Sequence, residues 1–388
     1  MDSIPMKKIK VFLYIDSLMI GGMHRQVLYL AKHLNREIFE PIVCTQNTPR
    51  GGLRESYERV GCKLIDLERD EKKIDLSLVS RLLKVLKAEE PDVIFITAAP
   101  NLFYYRIAKL FYKKKILLVG SFRALTFWKG HLKKRYMPID NILSRWLYSS
   151  SDHVVVNSIA LKENYSKIIN VEKSKPIEVI YNGSDFNFPV TREISEIRKE
   201  LGVGINDVIV FMIARIDPWK DFFTFIKAVK IVVNRNKNVK FYIVGDGPLR
   251  SVIGQTIIEE GIIDNLKILG EKRDIFNYIN AADISVLSTN GEGFSNSILE
   301  SMSFSKPVIA TAVGGNIELL GTENQFGLLV PPKSPQKFAS AIISLVENKT
   351  QRETIGDAAR KHILQLCDLK KCVSSYERIF ASNFLNGE

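Results

Sequence analysis

Short apolar runs alternate with longer amphipathic stretches along the whole chain. The runs are rich in Val and Ile, as buried parallel strands are, and the stretches between them carry apolar residues three and four positions apart, as helices do. The pattern predicts strands in the first half at residues 10–15, 42–45, 63–66, 93–97, 116–120, 153–157 and 178–181. It predicts helices between them at about 21–34, 53–60, 76–88, 102–111 and 141–148.

The second half repeats this alternation after a turn at residues 180–185 and an irregular segment at 186–192. We expect its strands at 208–214, 240–244, 266–269, 284–287, 308–311 and 327–330, and its closing helices at 338–346, 352–365 and 369–384. Repeated βα units with buried strands predict an α/β fold of two doubly wound parallel sheets. The domain boundary is expected between residues 183 and 184.

The stretch from 283 to 320 contains a strand, a loop, a helix, a second strand and a glycine pair. Glu292 lies in the loop, Ser295 or Asn296 caps the helix, and Glu300 follows Glu292 by about two helical turns. Free N–H groups at the start of a helix suit a diphosphate or the polar face of a sugar, and carboxylates can accept hydrogen bonds from sugar hydroxyls. On spacing alone, both glutamates can equally be solvated charges on a helix surface.

A longer motif surrounds these glutamates. Seven residues separate Glu292 from Glu300, Gly293 and Phe294 follow Glu292, and Lys306-Pro307-Val308, Gly314-Gly315 and Glu318 come later. This motif resembles the nucleotide-sugar signature of the retaining family 4 glycosyltransferases. The resemblance implies the GT-B fold, in which two Rossmann-like domains face a cleft and the last helix, here about 369–385, crosses back to the first domain. It implies a catalytic role for Glu292 and donor contacts from Gly293, Phe294, Ser295, Asn296 and Glu300.

Two cations precede the first helix of the second half. Arg215 ends a strand and Lys220 stands five residues later. An Arg fork and a Lys point charge can clamp a diphosphate, although a surface loop with ordinary basic residues is the alternative. The spacing before a Phe-rich helix matches the diphosphate-binding motif of the same family, which implies that both residues stabilise the leaving group.

Glycine turns supply further candidates. Gly21 and Gly22 follow the first strand without the G-x-G-x-x-G spacing, so a dinucleotide cofactor has weak support. In the family, this pair approaches the donor phosphates across the cleft. A glutamate often stands where this chain has His24, and His24 is taken as a candidate for acceptor or sugar binding. Gly245 and Gly247 form a strand-to-helix turn that permits close approach of a ligand.

Two arginines complete the candidate donor and acceptor residues. Arg273 lies in the segment that usually contacts the base in this family. Arg123 lies where many members place a histidine near the donor sugar. It is expected to contact the sugar, the phosphate or an anionic acceptor, unless it is an ordinary surface arginine.

The 388 residues carry a net charge of +12, and the excess lies entirely in the first half. Residues 1–183 contain 31 Lys and Arg against 19 Asp and Glu, whereas the remainder contains 24 of each. Lysines at 113–115 and the basic, aromatic segment 128–136 suit an anionic membrane surface or a lipid diphosphate. The alternative is a solvated basic loop, and no nucleic-acid-binding motif accompanies these residues.

Scattered cysteines and the lack of a signal peptide or a run of about 20 apolar residues favour a cytoplasmic protein, peripheral on the inner face of the cell membrane. The favoured function is a retaining hexosyltransferase of cell-surface polysaccharide or glycan synthesis. Its donor is a nucleotide diphosphate sugar, with uridine as the favoured base, and its acceptor a saccharide or lipid-linked saccharide. Since Asp-x-Asp is absent, neither a metal nor any cofactor beyond this co-substrate is expected, nor is nucleic acid.

Two alternatives remain open. Ser301, Ser303 and Ser305 replace the small apolar residues or glycine usual in the family, which leaves room for a basic polyanion-binding protein with a vestigial nucleotide site. A GT-B sugar-nucleotide epimerase or phosphorylase is the other alternative. The sequence leaves the sugar, the linkage, the acceptor and the oligomeric state open.

Overall fold

The computed structural model describes residues 7–19, 21–48, 52–69, 75–97, 99–123, 142, 145–146, 148–169 and 177–384. The chain forms two compact units. The first contains Met1–Ser184 together with Cys367–Glu388, and the second contains Asp185–Leu366. The basic segment 128–136 and half of the helix expected at 141–148 lie outside the described residues.

The first unit is built on a seven-stranded sheet with strand order β3-β2-β1-β4-β5-β6-β7, in which every neighbouring pair is parallel. The strands are Ile9–Ser17 (β1), Phe39–Asn47 (β2), Lys63–Asp66 (β3), Val93–Ile96 (β4), Leu117–Phe122 (β5), His153–Val156 (β6) and Ile177–Val179 (β7). The helices between them are Gly22–His33 (α1), Arg54–Arg59 (α2), Ser77–Glu89 (α3), Ala99–Lys109 (α4) and Ile159–Ile169 (α5).

Alternate residues of β1 enter the cores on the two faces of this sheet, as the pleat requires. Phe12 and Tyr14 belong to one core, and Val11, Leu13 and Ile15 belong to the other. Both faces are therefore covered, which explains why the strand is apolar throughout rather than alternating.

The second unit repeats this architecture with six parallel strands in the order β10-β9-β8-β11-β12-β13. They are Val208–Ile213 (β8), Val239–Val244 (β9), Leu266–Gly270 (β10), Ile284–Leu287 (β11), Val308–Thr311 (β12) and Leu328–Val330 (β13). Its helices are Ile194–Leu201 (α6), Phe222–Arg235 (α7), Arg250–Glu259 (α8), Ile275–Ala281 (α9), Asn296–Ser303 (α10), Asn316–Leu320 (α11), Pro335–Glu347 (α12) and Lys349–Leu366 (α13).

The last helix, Leu369–Ala381 (α14), is part of the first unit. The ring of Tyr376 meets Phe95 of β4 edge-on at 5.3 Å, and the ring of Phe380 lies 6.0 Å from the same side chain. Gly183 permits this packing, because a Cβ atom there would lie 2.8 Å from the Cβ of Cys372.

The predicted strands and the α/β architecture agree with the structure, whereas α5 was not predicted. All four cysteines, which lie in the described part of the chain, are free thiols. Within the described residues, no helix combines the length and the apolar character needed to cross a bilayer.

Candidate functional site

The loops that follow β8 and β11 meet at the carboxyl edge of the second sheet, where the strand order reverses. Ligands of doubly wound sheets bind at such a reversal. Backbone hydrogen bonds hold the two loops together: Asn290 donates its N–H to the carbonyl of Trp219 at 2.9 Å, and Asp221 donates to the carbonyl of Ser288 at 3.0 Å. The hydroxyl of Thr289 also donates to Trp219.

This arrangement brings Lys220 and Glu292 into direct contact. The Lys220 ammonium donates to Oε2 of Glu292, and the two side chains are only 16% and 18% exposed. Arg215, in the same loop as Lys220, is 60% exposed and lies 4.0 Å from Asp217. Two of the three residues assigned to catalysis are thus paired, and the third presents its charge to solvent close to them in sequence.

The Gly314-Gly315 pair after β12 lies directly against the Glu292 loop. Gly315 donates its N–H to the carbonyl of Glu292 at 3.2 Å. A Cβ on Gly314, whose φ is +51°, would lie 1.9 Å from that carbonyl oxygen, and a Cβ on Gly315 would lie 2.2 Å from the carbonyl oxygen of Gly293. Only glycine therefore allows this close approach, which fixes the backbone that carries the Glu292 carboxylate.

Helix α10 begins next to this loop. Ser295 caps it by accepting the N–H of Ile298 at 3.4 Å, as the sequence suggested, and Phe294 is buried. Glu300 is 8% exposed, so it is not the solvated surface charge of the alternative reading. Donor contacts from Gly293, Phe294, Ser295, Asn296 and Glu300 stay predictions.

The glycines of the turn after β9 accommodate the chain itself. A Cβ on Gly245 would lie 2.1 Å from the carbonyl oxygen of Ala214, and one on Gly247 would lie 2.3 Å from that of Ile216. These two carbonyls flank Arg215. The close approach that glycine permits here is thus made by the Arg215 loop, and contact with a ligand stays a prediction.

The segment after β10, which was assigned to the base, is held by an ionic cluster. Glu200 of α6 accepts hydrogen bonds from the hydroxyl of Tyr278 and from Arg192, each at 2.7 Å, and these bonds hold the pKa of its carboxyl below the usual range. The Lys272 ammonium lies 3.4 Å from Glu200 and 5.1 Å from the centre of the Tyr278 ring. Its neighbour Arg273 is exposed.

In the first unit, His24 of α1 turns back toward the end of β1. Its Nε2 lies 3.1 Å from Oδ1 of Asp16 and 3.4 Å from Oγ of Ser17, neither of which was singled out from the sequence. Burial by itself raises the pKa of Asp16, but the hydrogen bond and the charge of His24 outweigh it and leave that pKa below its usual range. A Cβ on Gly21 would lie 3.1 Å from Nδ1 of His24. Sugar or acceptor binding by His24, and donor contacts by Gly21 and Gly22, stay predictions.

Arg123 follows β5 and already binds three side-chain oxygens. Its guanidinium donates to Oδ1 of Asn182 at 2.6 Å, to the hydroxyl of Tyr376 at 3.0 Å and to Oγ of Ser121 at 3.1 Å. It thereby connects three parts of the first unit: β5, Asn182 near the end of the segment 1–184, and α14. A contact with sugar, phosphate or acceptor stays a prediction, and it would have to compete with these bonds.

Two family comparisons extend over most of the chain. Residues 193–362 match the family Glycosyl transferases group 1, and residues 20–188 match Glycosyltransferase Family 4. The chain belongs to the family 4 glycosyltransferases. The membership expected from the motif around Glu292 is therefore confirmed, and this glycosyltransferase acts between a nucleotide-sugar donor and a saccharide acceptor.

Relatives with named activities are transferases or synthases of sugar compounds. The N-acetyl-alpha-D-glucosaminyl L-malate synthase of Bacillus anthracis is 25% identical over 79% of this chain and 78% of its own length. The UDP-Gal:alpha-D-GlcNAc-diphosphoundecaprenol alpha-1,3-galactosyltransferase of Escherichia coli is 26% identical over 85% of this chain and 86% of its own length.

A solved structure of similar fold is that of Anabaena HepE in complex with UDP and glucose. It matches this glycosyltransferase with a TM-score of 0.80 at 23% identity, over 96% of this chain and 100% of that one. The match confirms the predicted GT-B fold of two Rossmann-like domains.

The loops of the second unit can therefore do two things for a glycosyltransferase. Lys220 and Arg215 carry positive charge at the strand edge, and positive charge of this kind can stabilise a departing diphosphate. That role for these two residues stays a prediction. Glu292 offers a carboxylate to sugar hydroxyls from a backbone that the glycine pair holds in place. The sequence did not reveal Thr289 and Thr311, which support this backbone: the Thr289 N–H donates to Oγ1 of Thr311 at 3.0 Å, and the Thr311 hydroxyl donates to the Thr289 carbonyl at 2.8 Å.

Proposed function

We propose that this glycosyltransferase transfers a hexosyl group, with retention of configuration, from a UDP-sugar to a saccharide or lipid-linked saccharide of a cell-surface glycan. The observation that carries the proposal is the contact between the Lys220 ammonium and the Glu292 carboxylate at the carboxyl edge of the second sheet. The cation that we assign to the diphosphate thus lies beside the anion that we assign to the sugar, and the two groups of a nucleotide sugar adjoin in the same way.

In the proposed reaction, the bond between the anomeric carbon and the diphosphate oxygen breaks while the acceptor oxygen bonds to the same face of that carbon. The acceptor proton passes to the departing phosphate oxygen. Lys220 and Arg215 stabilise the charge that develops on the diphosphate, and Glu292 orients the sugar. Because these cations and the N-terminus of α10 supply the stabilisation, the proposal requires neither a metal ion nor a further cofactor.

The donor base and the acceptor are proposed from the relatives and the charge distribution. The Escherichia coli relative is named for UDP-Gal and a diphosphoundecaprenol acceptor, and the Anabaena neighbour is described with UDP. The basic first unit favours an acceptor that is anionic, such as a lipid diphosphate, at the inner face of the cell membrane. We expect no nucleic-acid partner.

The test begins with thermal unfolding of wild type and Glu300→Ala, each with UDP, GDP and ADP. A nucleotide at about 100 times its dissociation constant stabilises the folded state by roughly 2.7 kcal/mol. UDP should raise the melting temperature of wild type and raise that of Glu300→Ala much less. If GDP or ADP raises the melting temperature and UDP does not, the donor base is guanine or adenine and not uracil. If no nucleotide raises it, the proposed donor site is refuted.

The reaction itself is tested with UDP-sugars and an acceptor panel. Proton NMR of the first product should show the anomeric configuration of the donor, and addition of EDTA should leave the rate unchanged. An inverted product or a rate abolished by EDTA and restored by Mg²⁺ would refute these parts of the proposal.

Two of the three serines that raised the polyanion-binding alternative, Ser301 and Ser303, make hydrogen bonds within the fold. The buried Ser301 hydroxyl lies 2.8 Å from the hydroxyl of Ser285 and donates to the carbonyl of Ser297. The hydroxyl of Ser303 donates to the carbonyl of Glu300 at 2.6 Å. No contact of these serines favours a vestigial site.

A further inference from the structure

Helix α4 of the first unit and the turn that follows it carry both buried and exposed apolar side chains. One side, with Leu102, Tyr105 and Ala108, is buried in a core of the first sheet. Phe103 of the same helix is instead 39% exposed, and Leu110 and Phe111, in the turn just after the helix, are 78% and 63% exposed. Large apolar side chains grouped on a surface indicate an interaction site more strongly than the same side chains scattered singly.

Trp146 lies beside the same helix. The guanidinium of Arg106, on α4, sits 5.4 Å from the centre of the Trp146 ring, and the indole is 40% exposed. Trp is the residue type that favours the boundary between lipid headgroups and acyl chains, because its ring is apolar and its N–H polar.

The charged residues along this stretch of the sequence are all basic. From residue 93 to residue 139 the sequence contains ten Lys and Arg residues and not one Asp or Glu. Lys113 and Lys115 directly follow the apolar group and are exposed, and neither makes an ion pair within the part of the chain that the structure describes. Lys114, between them, is instead paired with Asp92 at 2.9 Å.

We propose that an anionic phospholipid bilayer binds the α4 surface, which consists of Phe103, Leu110, Phe111, Lys113, Lys115 and Trp146. The lysines are attracted to lipid phosphates, while the apolar side chains enter the headgroup region and leave water. The exposed apolar side chains decide against a nucleic acid, since Leu110 gains nothing from contact with phosphates.

This inference deepens the proposed function, since it assigns the proposed membrane partner to particular side chains. The two can still fail separately. Vesicle binding is measured without nucleotide, so a protein that binds UDP and transfers sugar but ignores vesicles would overturn only the α4 surface. A protein that binds vesicles but no nucleotide would overturn only the donor site.

The test is vesicle flotation of the full chain. Wild type should float with phosphatidylcholine vesicles that contain about one third phosphatidylglycerol and should not float with phosphatidylcholine alone. Lys113→Gln with Lys115→Gln should lower the partition coefficient about 30-fold, since each lysine near an anionic surface contributes about five-fold. Leu110→Ser with Phe111→Ser should lower it at least ten-fold, with unchanged melting temperature.

Matched controls come from the second unit. Ile205 and Ile258 are 87% and 58% exposed, and Lys227 and Lys237 are exposed, so Ile205→Ser with Ile258→Ser and Lys227→Gln with Lys237→Gln remove similar groups elsewhere. These variants should float as wild type does. The proposal is wrong if wild type stays unbound, if controls and α4-surface variants lose binding equally, or if the α4 surface only joins two copies of the chain. Sedimentation velocity tests the last outcome. In that case wild type would be a dimer, the double variant Leu110→Ser with Phe111→Ser would be a monomer, and neither protein would float with vesicles.

Discussion

At the scale of single residues, Lys220 and Glu292 neutralise each other in a site that is proposed to receive an anionic donor. We expect a bound diphosphate to take the place of Glu292 as the partner of Lys220, which would leave the carboxylate for sugar hydroxyls. Such an exchange of partners would couple recognition of the diphosphate to recognition of the sugar. A nucleotide without its sugar must therefore compete with Glu292 for the same ammonium group.

This exchange predicts opposite behaviour for the two partners. Lys220→Gln should weaken UDP binding about 10- to 100-fold, the range for loss of a charged hydrogen bond. Glu292→Gln should bind UDP as tightly as wild type or more tightly, because Lys220 is released, yet should transfer sugar at least ten-fold more slowly. Calorimetry with UDP and turnover of the UDP-sugar measure the two effects. If Glu292→Gln weakens UDP binding as much as Lys220→Gln does, the pair is a structural link and the exchange is wrong.

Gly314 is expected to be indispensable for the backbone of the same loop. Gly314→Ala places a Cβ 1.9 Å from the Glu292 carbonyl oxygen at a φ of +51°, so it should destabilise the protein by about 1–3 kcal/mol or displace the loop. Gly254→Ala is the control: this glycine lies inside α8 with no atom near the added Cβ, so the change should stabilise by roughly 0.5–1 kcal/mol. Urea unfolding of both variants measures the difference, and effects of equal sign would contradict it.

The sequence indicates which residues form the candidate donor site, but it indicates less about the residues that contact them. Glu292 and Lys220 were identified because each lies in a motif of its own, whereas their contact joins positions 72 residues apart. Two partners of Arg123 are also distant along the chain: Asn182 lies 59 residues away and Tyr376 lies 253 residues away. No local pattern reports such pairings, so the sequence did not predict these bonds of Arg123, and its contact with a ligand stays a prediction.

At the scale of elements, strands were predicted well because buried parallel strands are continuous β-branched runs. Helix α5 was missed although signals for it exist. The N–H of Leu161 donates to the hydroxyl of Ser158 at 3.2 Å, as at a helix start, and Leu161 and Tyr165, four positions apart, enter the same core. The polar residues between these two obscure the periodicity in a short helix.

Helix α14 contributes to the core of the first unit through Phe380, whose ring packs against Phe95 and Phe39. Phe380→Ala should destabilise the first unit by about 3–5 kcal/mol through lost burial and the cavity left behind. Phe384→Ala, just beyond the helix at a side chain 44% exposed, should change stability by less than about 0.5 kcal/mol. Hydrogen exchange of β1 and β4 in both variants reports the stability of this unit. Equal protection in the two variants would show that α14 does not support the sheet.

Helix α6 gives a pH-dependent prediction through Glu200, whose pKa is lowered by hydrogen bonds from Tyr278 and Arg192. A lowered pKa means that the carboxylate stabilises the folded state above the ordinary glutamate pKa of about 4.3 and that this contribution disappears as the pH falls below it. Glu200→Gln should therefore lower the free energy of unfolding by up to about 1 kcal/mol at pH 7, because solvent screens this cluster. Near pH 3 the free energies of unfolding of the variant and of wild type should be equal. Urea midpoints at both pH values test this, with the more exposed Glu196→Gln as the control that should behave as wild type.

At the scale of the whole molecule, charge and chemistry are divided between the two units. The first unit carries the entire net charge of +12, while the second carries equal numbers of cations and anions and the candidate donor site. Charges spread over a surface act over a distance that salt shortens, from about 10 Å at 0.1 M to about 3 Å at 1 M. Contacts inside a partly buried site, such as that of Lys220, are screened much less.

Salt should therefore separate the two proposed binding activities, one for anionic vesicles and one for UDP. Between low and high NaCl, the partition of wild type onto anionic vesicles should fall at least ten-fold, while the dissociation constant of UDP should change by less than about three-fold. Flotation and calorimetry on one preparation give both curves, and vesicles without anionic lipid provide the baseline. If the UDP curve falls as steeply as the vesicle curve, the nucleotide depends on the field of the basic first unit, and the assignment of donor binding to Lys220 and its loop is wrong. If only the vesicle curve falls, then membrane attraction comes from the charge of the first unit and donor affinity from contacts within the second.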